Sequence, residues 1–271
     1  MRWQLSLQDL HFLVDTLMPE TRDRERAASV IQRDEQIVEA MLDDERLFQR
    51  MVSDDEVLVR VSPWLFFTVL LRRVRRELEK EPFTVERRDQ QKVFLFDTGQ
   101  VVELLQQESL QDYLAAVLAS FTRVRSVTVP IRVRKGVWHK YRVSDLDVDS
   151  LVRYSETVDE TFRYDAHRRI GDVCLFLTGI FPDYIEAQHR YPHTRQVRLR
   201  ARSQLLSRRE DYEDYGRAFY RLAAEHERAE EEGLAEVLQS LSQKFLLAEK
   251  PLAFMAERYL KLSRNRLFDV S

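Results

Sequence analysis

Cysteine is nearly missing: the 271 residues hold one, Cys174. That excludes a disulfide framework and any zinc centre built on cysteines. Glycine (6) and proline (7) are almost as scarce, too few for the turns of an all-β sandwich or barrel. Long apolar runs are missing too. The two richest, 63–71 and 173–181, fall well short of the roughly 20 residues that span a bilayer and read as buried helix centres. The N-terminal apolar stretch contains Asp9 and Asp15, so it is not a secretory signal, and no lipidation motif is present. Neither a Walker loop, nor Gly-x-Gly-x-x-Gly, nor Gly-x-Ser-x-Gly occurs. Phosphate-loop enzymes, Rossmann enzymes and ordinary serine hydrolases lose their support. What is present, 44% hydrophobic and 33% charged residues, describes a globular cytoplasmic protein.

Helix starts are legible. Ser6 with Asp9, Ser109 with Asp112, and Ser53 with Glu56 each place an acid three residues after a serine. The hydroxyl can accept a free backbone N–H while the carboxylate complements the helix dipole. Ser62-Pro63 places proline at the first helical position, where its missing N–H costs nothing. These signals and the apolar periodicity predict helices near 7–18, 34–51, 54–61, 63–80 and 100–121. Further helices are expected over 148–166, 170–189, 195–208, 211–231 and 234–263. Alternating, β-branched stretches predict two small β-hairpins near 83–96 and 126–143. The fold class expected is mainly α: an α-rich N-terminal domain (1–146) with the two hairpins, then a C-terminal helical bundle (147–271).

The strings SPWLFFTVLLRR (62–73), FTVER (83–87), DYLAAVLASFTRVR (112–125) and GDVCLFLTGIFPDYI (171–185) resemble a group of bacterial helical proteins of unassigned function. The resemblance implies a bacterial, cytosolic origin and assigns no catalytic residue.

Candidate chemistry is thin. A di-metal helical bundle needs two Glu-x-x-His motifs and further carboxylates; Glu186 and His189 form one, near Glu156 and Glu160, and no second exists. No metal or cofactor is therefore expected. Helical ribonucleases of the HEPN class use an Arg-x4–6-His motif, which Arg221 and His226 satisfy. Composition alone predicts about 2.4 such spacings, and three occur: Arg221–His226, Arg134–His139 and Arg132–His139. The excess is nil. Asp165, His167 and Asp172 can be drawn as an acid–base cluster, but helical spacing places His167 away from the two aspartates. Cys174, inside VCLFL, reads as a buried and inert thiol.

Charge segregation is the informative feature. Residues 1–60 carry 14 acids and 8 bases, whereas 113–144 and 187–209 contain no acid and seven bases each. In the first acid-free segment Arg132, Arg134, Trp138, Lys140 and Arg142 form a basic strand surface bearing an indole; in the second Arg195, Arg198 and Arg202 cluster. Such segregation fits a polyanion site, a match to the acidic N-terminal helices, or a subunit contact. The leading expectation is a non-enzymatic interaction or regulatory protein with a protein partner or self-association. Nucleic-acid binding through the acid-free segments comes next. A helical ribonuclease using Arg221 and His226 is third.

Overall fold

A computed structural model describes residues 5–54, 56–88, 91–122, 126–134, 137–144, 146–182, 185, 206, 208–261 and 267–268. Over 85–88, 91–94, 126–134 and 137–144 it describes the backbone alone. The chain is mainly helical. Two compact units divide it, Met1–Ser120 and Phe121–Ser271. Antiparallel backbone pairing joins Thr84–Arg88 to Gln91–Leu95 and Ser126–Arg134 to Val137–Ser144.

The first unit contains α1 (Leu7–Leu17), α2 (Arg24–Ile31), α3 (Glu35–Leu42), α4 (Glu45–Ser53), α5 (Val57–Arg60), α6 (Pro63–Leu78), α7 (Thr98–Leu105) and α8 (Glu108–Phe121), the last ending at the unit border. The helix expected over 34–51 is in fact two. The Asp43-Asp44 pair ends α3 and starts α4, because Asp44 turns its carboxylate onto the Arg46 N–H at 2.8 Å. The same device recurs: Asp23 accepts from Arg26 (3.0 Å) and Asp34 from Gln36 (3.0 Å) and Ile37 (3.2 Å). Asp54 receives the Glu56 N–H (2.9 Å) at the entry to α5. Short helices need many caps, and aspartate is among the best. Four of the 14 acids of residues 1–60 thus serve helix starts.

At the start of α1 the expected capping box is present, Ser6 Oγ accepting the Asp9 N–H. Asp9 goes further. Fully buried, it accepts from the Ser6 N–H (2.9 Å) and the Ser6 hydroxyl (2.8 Å), and from the Ser62 N–H (2.6 Å) across 53 residues. One carboxylate therefore ties the beginnings of α1 and α6 together. Helix α6 is the centre of this unit: every residue from Trp64 to Arg72 is buried, as its apolar run predicts.

The second unit contains α9 (Val148–Thr157), α10 (Glu160–Ile180), α11 (Arg209–Ala224), α12 (Glu227–Glu231), α13 (Ala235–Gln243) and α14 (Phe245–Arg258). Two helices expected over 148–166 and 170–189 break instead at Val158-Asp159, so that 160–180 is one helix. Residues 173–180 are all buried, and Phe176 stacks on Phe121 with ring centroids 4.1 Å apart. Close approach of α11 to its neighbours is allowed by glycine. A β-carbon on Gly216 would lie 2.3 Å from the Phe245 ring, and one on Gly171 2.7 Å from that of Tyr220.

Candidate functional site

His226 follows α11 in an extended conformation (φ −83°, ψ 139°) and caps α12. Its Nδ1 accepts the Arg228 N–H at 3.2 Å, and its Nε2 lies 3.3 Å from the Glu160 carbonyl oxygen. A carbonyl can only accept, so Nε2 carries the proton and Nδ1 is bare. Both ring nitrogens are thereby occupied by backbone groups, while a general base needs one free lone pair. Arg221 sits five residues earlier, exposed on α11, and makes no ion pair among the described residues.

The ring of His226 rests against Tyr164, 5.4 Å between centroids, and Tyr164 is the centre of a charged latch. Arg168 and Arg228 lie over its ring at 5.3 and 4.9 Å. Arg228 pairs with Asp165 (2.7 Å) and Glu232 (2.9 Å), and Arg168 with Glu232 (3.0 Å) and Asp165 (3.5 Å). Two guanidiniums and two carboxylates close a neutral ring that holds α12 to the start of α10. Tyr164 donates its hydroxyl to Glu232 at 3.1 Å. Burial, more than the neighbouring Glu232 charge, pushes this phenol up to about 12, so it stays protonated. Each pair is partly solvated and individually weak; the closed arrangement gives the latch its geometry.

The acid–base triplet drawn from the sequence does not converge. Asp165 belongs to the latch. Asp172, on the buried side of α10, accepts the Tyr220 hydroxyl at 2.9 Å. His167 packs on Phe219 with centroids 5.4 Å apart, and burial, then the charges of Arg163 and His226, lower its pKa. Cys174 is fully buried, and burial, with Glu249 and Asp172 adding to it, pushes its thiol far above the usual range. An un-ionised, inaccessible thiol is no nucleophile. Glu156 and Glu160 are exposed; Glu186 and His189 lie outside the described residues. Among the described residues no group of three or more His, Cys, Asp or Glu side chains could hold a metal ion. No described helix is long and apolar enough to cross a membrane.

Of the basic-segment residues, Arg195, Arg198 and Arg202 lie outside the described residues. Arg132, Arg134, Trp138, Lys140 and Arg142 are described by backbone alone. Arg132 pairs with Trp138, Lys140 with Pro130 and Arg142 with Thr128, and a register shift falls between Arg132 and Arg134. Strict two-residue alternation therefore does not carry through from Arg132 to Arg134. At the end of the second segment Arg209 turns inward, to Glu213 (3.0 Å) and Glu249 (2.7 Å).

Two constellations escaped the sequence reading. Arg72, on α6 and 3% exposed, reaches Glu39 (2.6 Å) and Asp43 (3.4 Å) on and after α3. Its neighbour Arg73 pairs with Glu45 and, at 2.7 Å, with Glu77. Near Arg72, burial pushes Asp112 up to about 6, against the pull of that arginine. The available signal was the run of arginines continuing an apolar helix at 72–76, since a buried arginine requires a carboxylate partner. The other is Arg209, Glu213 and Glu249, signalled by Glu249-Lys250 within the apolar string FLLAEKPLAFMA.

Compared with protein-family models, curated proteins and solved structures, the chain finds no match.

Proposed function

We propose that this chain is a cytoplasmic, non-enzymatic interaction or regulatory protein that offers its acid-free segments, 113–144 and 187–209, to an anionic surface of a partner protein. The architecture we assign to it is an α-rich N-terminal domain with two small β-hairpins near 83–96 and 126–143, followed by a helical bundle.

One observation carries the reading: nine of the 14 acids of residues 1–60, the natural internal partners for those basic segments, are engaged within their own unit. Asp15 pairs with Arg24, Glu39 and Asp43 with Arg72, Asp44 with Arg46, Glu45 with Arg73, and Asp54 with Arg60. Asp23 and Asp34 serve as caps and Asp9 ties two helices. Arg209, at the end of the second segment, is paired inside the chain with Glu213 and Glu249; for the other bases of the two segments the engagement of these acids favours an external anion. The uses found for His226 and Cys174 are structural, which favours interaction over catalysis.

Fluorescence anisotropy tests this with a labelled Asp/Glu-rich peptide and with single-stranded and duplex oligonucleotides, each across a salt series. Peptide binding is expected, weakening with salt as counterions screen the contact. Arg132→Glu/Arg134→Glu and Arg195→Glu/Arg198→Glu/Arg202→Glu should each reduce it. Binding of oligonucleotides in preference to the peptide, with a steep salt slope, would make the partner a nucleic acid. Absence of binding to every anionic probe at low salt would overturn the reading.

A further inference from the structure

Helix α6 carries a row of hydrogen-bond donors beside its apolar run. Thr68, Arg72 and Arg75 stand at i, i+4 and i+7, so they share one face, with about 5–6 Å between successive β-carbons. Long side chains on a helix lean toward its N-terminus, which lays Arg72 over the turn of Thr68 and Arg75 over that of Arg72. Thr68 is fully buried and Arg72 nearly so. The Thr68 hydroxyl and the Nε of both arginines are buried, and none of the three makes a hydrogen bond among the described residues. Threonines on other helices behave differently: Thr16 donates to the Phe12 carbonyl at 2.6 Å and Thr178 to that of Cys174 at 2.9 Å.

The charges leave one guanidinium over. Arg72 pairs with Glu39 and Asp43, Arg73 with Glu45 and Glu77, and Arg76 faces Asp43 at 3.6 Å. Arg75 is half-buried and pairs with no carboxylate among the described residues. Glu39 and Asp43 take the terminal nitrogens of Arg72 and hold its guanidinium in place, with its Nε–H left as the remaining donor edge. From α8 the Asp112 carboxyl acts on Arg72. Gln111, the residue before it, is 2% exposed, and its amide nitrogen has no hydrogen-bond partner either.

We propose that Thr68, Arg72 and Arg75 bind a small oxyanion, free or as the head group of a small metabolite. The two Nε–H groups and the hydroxyl donate to its oxygens, and Arg75 supplies the balancing charge. All three groups are donors, so an acceptor completes them, and the oxygens of one sulfate, phosphate or carboxylate satisfy several donors at once. An anion fits better than a neutral acceptor because a half-buried guanidinium without a counter-charge is unfavourable. Arg75 opens the row to solvent and the fully buried Thr68 closes its inner end, so the ligand is small. Glu39 and Asp43 are neutralised by Arg72 and Arg76, which leaves Asp112 as the carboxyl opposing the anion. None of these residues belongs to the acid-free segments, and the site does not depend on their role.

Isothermal titration calorimetry of the full-length protein with sulfate, at an ionic strength held constant with chloride, tests this. Saturable binding is expected. Arg75→Gln, which breaks no ion pair, should weaken it by about tenfold or more, the loss of a charged hydrogen bond. Asp112→Asn should tighten it several-fold at neutral pH by removing a negative charge. Arg132→Glu/Arg134→Glu should leave it unchanged, which separates this site from the acid-free segments. Sulfate should raise the melting temperature of the wild type more than that of Arg75→Gln. Thr68→Val tells a ligand-binding hydroxyl from a structural one. It should lose affinity, yet without sulfate be at least as stable as the wild type, since a buried hydroxyl with no partner is gone. Absence of saturable binding, an affinity unmoved by Arg75→Gln, or a Thr68→Val protein destabilised without sulfate, the mark of a hydroxyl held by internal water alone, would each overturn the site.

Discussion

Replacing Gly216 by alanine is the sharpest probe of the second unit's packing. The added β-carbon would sit 2.3 and 2.5 Å from two carbons of the Phe245 ring and 3.1 Å from the β-carbon of Cys174. Ordinary carbon contact is roughly 3.5–4 Å, so the ring must retreat by about 1 Å. Phe245 is fully buried and lies beside the Tyr220 ring, 6.1 Å between centroids, so it has little room to do so. Overpacking of this kind costs about 1–3 kcal/mol and occasionally more. Alanine recovers up to about 1 kcal/mol through its better helix propensity. With the Cys174 β-carbon also only 3.1 Å away, a net loss of about 2 kcal/mol is expected. For a unit of this size that lowers the melting temperature by about 4–8 °C, measurable by calorimetry. Gly99→Ala is the control: it too lies in a helix, α7, but a β-carbon there meets nothing within 4 Å, so stability should hold or rise. A second variant isolates the cause. Phe245→Leu should cost less in the Gly216→Ala background than alone, because the smaller side chain vacates the contested space. Unchanged or raised stability of Gly216→Ala, or strictly additive costs, would refute the reasoning.

Asp9→Ala should destabilise the first unit by about 2–4 kcal/mol, since it strands buried donors at the starts of α1 and α6; urea unfolding reads this, and a cost under about 1 kcal/mol would contradict the tie. Asp112→Asn should remove a pH dependence. With its folded pKa raised by burial to about 6, stability falls as pH rises from about 4 to 6 in the wild type, and that decline should flatten in the variant. His226→Asn should retain most stability because asparagine is a good cap, whereas His226→Ala should lose about 0.5–2 kcal/mol; 15N NMR of the wild type should find the proton on Nε2. Phe176→Ala should cost about 3–5 kcal/mol, and a fully folded variant with wild-type stability would remove Phe176 from the core.

Periodicity and local capping are written in the chain itself, because a helix compares residues three and four apart. The apolar runs at 63–71 and 173–180, the Ser6 box and the Ser62-Pro63 start were legible for that reason. So was the inert setting of Cys174. Helix breaks were harder. Asp44 and Asp159 sit in stretches whose apolar period continues across them, and only the backbone's exit from the helix shows where one ends. Long-range partnerships were not legible at all. Asp9 meets Ser62, Arg72 meets Glu39, and Arg209 meets Glu249 across 53, 33 and 40 residues. A charged side chain reads alike in sequence whether water or a buried counter-charge solvates it. Folding makes that choice, by bringing distant helices close enough for one group to replace the other's water. The same holds for His226: its residue type allows a catalytic base, and its place between two backbone groups makes it a helix cap.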